Sequence, residues 1–193
     1  MLILASQSAA RQSLLRNAEI PFETRPARVD EEMVTESLLS EGHTPRAVAD
    51  ALAEMKALRI NGPGLILGCD QTLDLDGMLL GKPEDPDAAR KMLRAMSGRS
   101  HRLHSAAVIA EDGKPAWRNV ADVSMAMRSL SEAYIDDYVS RNWSDIQHCA
   151  GAYMIEAEGA RLFHQIRGDH FAVLGLPLLP LIDFLITRNI LPS

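Results

Sequence analysis

Apolar and polar positions alternate along this chain in a way that sets short strands between helices. Residues 2–5 form an unbroken apolar run, the pattern of a buried strand. Ser6-Gln7-Ser8 leads into a short helix predicted over residues 9–18, with Leu14 and Leu15 on its apolar face. Residues 21–29 read as a second strand. Thr44-Pro45 supplies an N-cap and a first-turn proline. That helix is predicted to run to about residue 60 and to stop at Asn61-Gly62-Pro63-Gly64. Leu65–Leu75 is predicted as a strand turned by Asp76-Gly77, a dipeptide suited to a tight hairpin. Asp85-Pro86 opens another helix, through Met96, closed by Ser97-Gly98.

The second half is predicted to be rich in hairpins. Strands over residues 101–110 and 116–128 flank Asp112-Gly113, and Ser131 begins a helix through about Arg141. A third hairpin is predicted from residues 152–156 and 161–167 around Glu158-Gly159. Residues 178–189 close the pattern as an apolar helix. The expected architecture is α/β: a mixed twisted sheet with helices on its faces and two lobes around a central cleft.

Length and composition narrow this picture. The 193 residues suit one domain, expected to span residues 1–193 as two lobes. Apolar residues make up 47% and charged residues 24%, as in ordinary globular chains. No apolar run reaches the roughly 18 residues of a membrane span, so no membrane partner is expected. Residues 1–4 enter a strand with no basic segment ahead of it, as expected of a chain without a signal peptide. The net charge of −6 argues against a duplex-binding basic face. A nucleotide pocket needs only a few local cations and stays open. Cys69 and Cys149 sit in strand-like contexts and read as reduced, buried thiols, with no zinc-ligand spacing. His101, His104, His148, His164 and His170 are scattered and read as structural.

Several positions carry candidate chemistry. Ser6, Ser8 and Arg11 lie where a buried strand gives way to a helix N-terminus, where unpaired N–H groups and the helix dipole favour phosphate. Ser8 as a plain N-cap beside a surface arginine explains the same letters. Asp70 follows a buried strand run, where a carboxylate reaches a cleft or stabilises a hairpin. Lys82, between Gly81 and Pro83, is a point charge on a stiffened loop. Asp30-Glu31-Glu32 is an acidic cluster or a helix start. Lys56 reads by periodicity as an exposed helical lysine, and Asp74 and Asp76 as strand and turn polar groups.

Taken in order, these blocks resemble the Maf family of nucleoside triphosphate pyrophosphatases. The resemblance is carried by Leu4-Ala5-Ser6-Gln7-Ser8 with Arg11, Val29-Asp30-Glu31, Ala53 through Lys56-Ala57, and Gly68-Cys69-Asp70. It continues through Gly81-Lys82-Pro83, Ser97-Gly98 with His101, Ala150-Gly151-Ala152-Tyr153, and Gly168-Asp169 through Gly175-Leu176-Pro177. It implies a Maf/ITPase-like fold and hydrolysis of a nucleoside triphosphate to the monophosphate and pyrophosphate. It also implies a divalent metal cation (Mg²⁺ or Mn²⁺), a cytoplasmic location and a homodimer. By position, Asp70, Lys82, Lys56 and Glu31 match the family's catalytic residues, Ser6, Ser8 and Arg11 its substrate-binding ones, and Asp70 with Glu31 its metal holders.

Three positions depart from the commoner family pattern: Ala10, Gln71 and Glu156. Gln71 and Glu156, with His148-Cys149-Ala150-Gly151, resemble the 7-methyl-GTP branch, whereas Ala10 matches neither branch. N7-methylguanine carries ring charge and Watson–Crick donors, which a carboxylate at position 156 would accept. Strict alternation places Gln71 on the opposite strand face from Asp70, so both reach one cleft only across a bend or bulge. Two other readings compete: a broader or dTTP/UTP-type pyrophosphatase, and a nucleotide-binding regulator of cell division or septum formation without turnover. Kinase-like or dinucleotide-binding readings fail because the glycine motifs they need are absent.

Overall fold

The structure, a computed structural model, describes residues 1–192. Parallel β1 (Leu2–Leu4), β2 (Phe22–Thr24) and β3 (Leu65–Leu75) form one side of a seven-stranded mixed sheet ordered β2-β1-β3-β5-β6-β7. The others are β4 (Met78–Leu80), paired antiparallel with β3, β5 (Ser100–Glu111), β6 (Lys114–Met127) and β7 (Phe163–Arg167). The helices are α1 (Ala9–Asn17), α2 (Glu31–Ser40), α3 (Pro45–Arg59), α4 (Pro86–Met96), α5 (Glu132–Ile146), α6 (His170–Val173) and α7 (Leu178–Thr187).

The chain folds as two compact units. The first holds residues 1–71, 104–122 and the C-terminal segment from Asp169. Its strands are apolar on both faces, as strands covered on both sides must be. Leu2, Leu4, Leu65 and Leu67 pack with Leu14 and Leu15 of α1 and Leu181 and Leu185 of α7. Ile3, Ala5 and Ile66 pack on the opposite face with Ala49, Ala53 and Ala57 of α3. This alternation matters for function, because it decides which helix each residue of β3 meets.

The second unit holds residues 72–103 and 123–168. In it α4 and α5 are joined by Arg90–Asp136 at 2.9 Å and Arg94–Glu132 at 2.7 Å. Asp76 and Gly77 both take positive φ, 53° and 88°, the hand of turn that the twist of a two-residue hairpin demands.

The sequence pattern errs in three places. The strand expected over 21–29 is only Phe22–Thr24, since Pro26 has no N–H to extend the ladder. The acidic stretch at 30–32 starts α2, which is the second of its two readings, with the Asp30 carboxylate accepting from Met33 N at 3.1 Å. α5 runs on to Ile146, and Cys149 follows it in a turn rather than in a strand. The third hairpin does not form: residues 155–157 turn into a 3₁₀ helix, Glu158–Leu162. The Glu158 carboxylate accepts from Arg141 and Asn142 of α5, which pins that turn in place. β7 finds its partner in β6 instead.

Candidate active site

The connection from β1 to α1 presents oxygen and nitrogen donors together. Ser8 caps α1, its hydroxyl oxygen accepting from Arg11 N at 3.4 Å. Ser6 Oγ accepts from Ser8 N and from Arg11 Nη1, each at 3.2 Å. Both hydroxyls therefore serve as acceptors here, which leaves their own protons to donate to an anion. The first amides of α1, those of Ala9 and Ala10, have no partner among the described residues. They face outward from the positive end of the helix. Arg11 is held by its Nε on the Gly175 carbonyl at 2.8 Å and its Nη1 on Ser6 Oγ and the Cys69 carbonyl. Among the described residues its Nη2 hydrogens have no partner.

Asp70 lies on the α3 face of β3, two residues after Gly68. A side chain at Gly68 would collide with the Ala53 carbonyl oxygen and lie 2.5 Å from Ala57 N. That close approach brings α3 against the strand, and Lys56 reaches Asp70 Oδ1 at 2.6 Å. The same ammonium meets Glu31 Oε1, at the start of α2, at 2.7 Å. Lys56 is only 6% exposed, which corrects its reading as a surface lysine. It lies four residues after Leu52 and seven after Ala49, on the buried stripe of α3. Burial raises the Asp70 pKa above its ordinary value, against the lowering pull of Lys56 and Arg11. A carboxylate whose pKa is raised is a better proton acceptor than an ordinary one.

Whether these residues suit a divalent cation turns on their donors. Among the described residues no group of three His, Cys, Asp or Glu side chains is placed to cage a metal. Glu31 and Asp70 nevertheless converge on one cation, Lys56. Mg²⁺ is commonly held by one or two carboxylates together with substrate phosphates and water. The pair fits that pattern and no fuller one.

Gln71 faces the other side of β3, as alternation requires. Its Nε2 donates to Ser105 Oγ at 2.8 Å and to the carbonyls of Ala172 and Val173 at 3.0 and 3.1 Å. Nothing in the pattern marks Ser105 beforehand, except that it is the one hydroxyl in the apolar run 103–110.

The remaining candidates belong to the second unit. Lys82 is exposed on the loop after β4, whose Gly81 carbonyl accepts from Gly151 N at 3.2 Å. Glu156 is exposed in the turn before the 3₁₀ helix, not on a hairpin strand. Both act electrostatically on Cys149, whose pKa is raised chiefly by burial, then by Glu156, while Lys82 lowers it. Lys82 and Glu156 are thus neighbours of one residue in that unit. Asp74 accepts from Gly77 N at 2.6 Å, the turn role expected of it.

The chain is similar to known proteins over nearly its whole length. The family model described as Maf-like protein matches residues 1–188. A nucleoside triphosphate pyrophosphatase of Ruegeria pomeroyi is 54% identical, covering 100% of this chain and 98% of the relative. One of Caulobacter vibrioides is 48% identical over 94% of this chain and 92% of the relative. A 7-methyl-GTP pyrophosphatase of Brucella abortus is 45% identical over the same shares. The match spans residues of both units, and the chain belongs to the Maf-like protein family.

Proposed function

We propose that this protein hydrolyses a nucleoside triphosphate between its α- and β-phosphates, releasing the monophosphate and pyrophosphate. The observation that supports this most is Lys56 set between Asp70 and Glu31 at 2.6 and 2.7 Å, in the same unit as the open N-terminus of α1. Ser6, Ser8, the Ala9 and Ala10 amides and Arg11 Nη2 bind phosphate oxygens. Asp70 takes the proton of the attacking water, and its burial keeps it basic enough to do so. Lys56 holds that carboxylate in position and offsets its charge. Lys82, exposed on its loop, is proposed as a further cation for the charge that grows on the leaving pyrophosphate. Glu31 and Asp70 are the residues that would hold Mg²⁺ or Mn²⁺. A bound divalent ion would supply Lewis-acid neutralisation of the phosphates.

For the base, we assign 7-methylguanine. Glu156 has no hydrogen-bond or ion-pair partner among the described residues, and its carboxylate would accept from the N1 and N2 donors of the guanine edge while offsetting the ring charge. Uracil or thymine would present a carbonyl to the same carboxylate. The small Ala10 leaves room beside the phosphate site. A panel of 7-methyl-GTP, GTP, UTP, dTTP and CTP, followed by pyrophosphate release, tests this. The expected result is that 7-methyl-GTP has the highest kcat/KM and that Glu156→Gln lowers it selectively, by about 10-fold. A preference for UTP or dTTP would overturn the base assignment.

A further inference from the structure

Gln71 is the residue whose surroundings least suit the role its position in the sequence suggests. A side-chain amide reads a base by offering a donor and an acceptor side by side. Here the orientation of the amide is dictated by its neighbours. Two main-chain carbonyls, of Ala172 and Val173, lie 3.0 and 3.1 Å from one end, and a carbonyl can only accept. The nitrogen must therefore face them. Ser105 completes the arrangement: its oxygen accepts from Gln71 at 2.8 Å while its proton goes to the Ala172 carbonyl at 2.6 Å. Ser105 is fully buried. The donors of Gln71 are thus engaged within the protein.

The acceptors are the last carbonyls of α6, which have no partner within so short a helix. The Ala172 carbonyl also accepts from Gly175 N at 3.0 Å, so a shift of Ala172 moves Gly175. The Gly175 carbonyl in turn accepts from Arg11 Nε at 2.8 Å. Its backbone also underlies the guanidinium, since a Cβ there would sit 3.3 Å from Nε and 3.4 Å from Nη2. Strand β3, strand β5 and the 172–175 segment are linked in this way to the plane of a single arginine. Three of the five N–H groups of Arg11 are spent on that anchoring, and the Nη2 pair is left for a ligand.

We propose that Gln71, with Ser105, is a positioning residue for phosphate binding: it fixes the 172–175 segment that aims Arg11, and it does not read the base. The inference rests on Arg11 being a phosphate ligand. It explains why Gln71 can act on substrate from the strand face opposite Asp70, with no bend in β3.

Inorganic tripolyphosphate, which has the phosphates and no base, tests it as a competitive inhibitor. Gln71→Met keeps the length of the side chain and removes its donors. The expected result is about 10-fold weaker inhibition by tripolyphosphate. The value of kcat/KM should fall by a similar factor for every nucleotide of the panel, with the ratios between bases held within about threefold. In an Arg11→Lys background the same substitution should cost less than about twofold more, because both changes act on one contact. A purely structural loss would not be absorbed by the change at Arg11. Ser105→Ala approaches the same link from β5 and should behave alike, which covers the case in which Gln71→Met does not fold. Base ratios shifted more than about 10-fold with tripolyphosphate inhibition intact would make Gln71 a base reader and overturn the proposal. Losses that simply multiply with those of Arg11→Lys would overturn it too. If tripolyphosphate does not inhibit the unmodified protein, the phosphate role of Arg11 falls and this inference with it; if it inhibits and coupling is absent, this inference alone falls.

Discussion

At the scale of single residues, burial decides what each ionisable group can do. Asp70 and Lys56 are nearly removed from water, and each makes the other tolerable there: a carboxylate left alone at that depth would be driven neutral, and so would an ammonium. His101 shows the opposite outcome, a buried group with no charged partner. Its Nε2 lies 2.9 Å from the Tyr153 hydroxyl, and its ring packs against Tyr153 and Phe163. Burial lowers its pKa from 6.5 to about 4. The folded state therefore prefers the neutral ring. The stability this contributes is complete above the unfolded pKa and is lost as pH falls from about 6.5 toward 4. Between pH 7 and pH 5 the free energy of unfolding should fall by about 2 kcal/mol through this group. Urea titrations at the two pH values check this: the fall should be smaller by that amount in His101→Gln, and equal falls in both proteins would refute the assignment. The sequence showed His101 as one of several scattered histidines, because nothing local encodes which ring a fold will bury.

At the scale of elements, the site depends on how closely α3 approaches β3. The small residues Ala49, Ala53 and Ala57 line the helix face, and Gly68 offers the strand no side chain at the crossing. Gly68→Ala should therefore force the two apart and cost about 1–3 kcal/mol of stability, measured as a lowered denaturation midpoint with unchanged m-value. Unaltered stability would mean that the contact is looser than described. The elements themselves were largely legible. β3 and α4 begin and end where the sequence places them, because Asp76-Gly77 and Asp85-Pro86 are strong local signals. The 3₁₀ turn at Glu158–Leu162 was not, because Glu-Gly is also a hairpin signal. What settles it is a distant arginine, Arg141, on α5. Lys56 was misread for a related reason: a charged residue on a buried stripe makes sense only once its partners, Asp70 and Glu31, are known to lie opposite.

At the scale of the molecule, the candidate residues are divided between two compact units. The first brings together Ser6, Ser8, Arg11, Glu31, Lys56 and Asp70, from strands and helices separated in sequence by up to 64 residues. The second carries Lys82 and Glu156. A chain with net charge −6 gathers two of its few buried or half-buried cations, Arg11 and Lys56, near one carboxylate, an arrangement suited to an anionic substrate. The blocks that resemble the family were readable in the sequence, whereas the contacts that make them a site were not. The central claim is that Asp70 drives attack of water on a triphosphate so that pyrophosphate leaves. It is tested most directly by following phosphorus-31 signals of a nucleoside triphosphate incubated with the protein and Mg²⁺, beside the Asp70→Asn variant. The account predicts equal amounts of nucleoside monophosphate and pyrophosphate, and a turnover at least about 10²-fold lower in the variant. Release of orthophosphate with a nucleoside diphosphate, or equal turnover by both proteins, would contradict it.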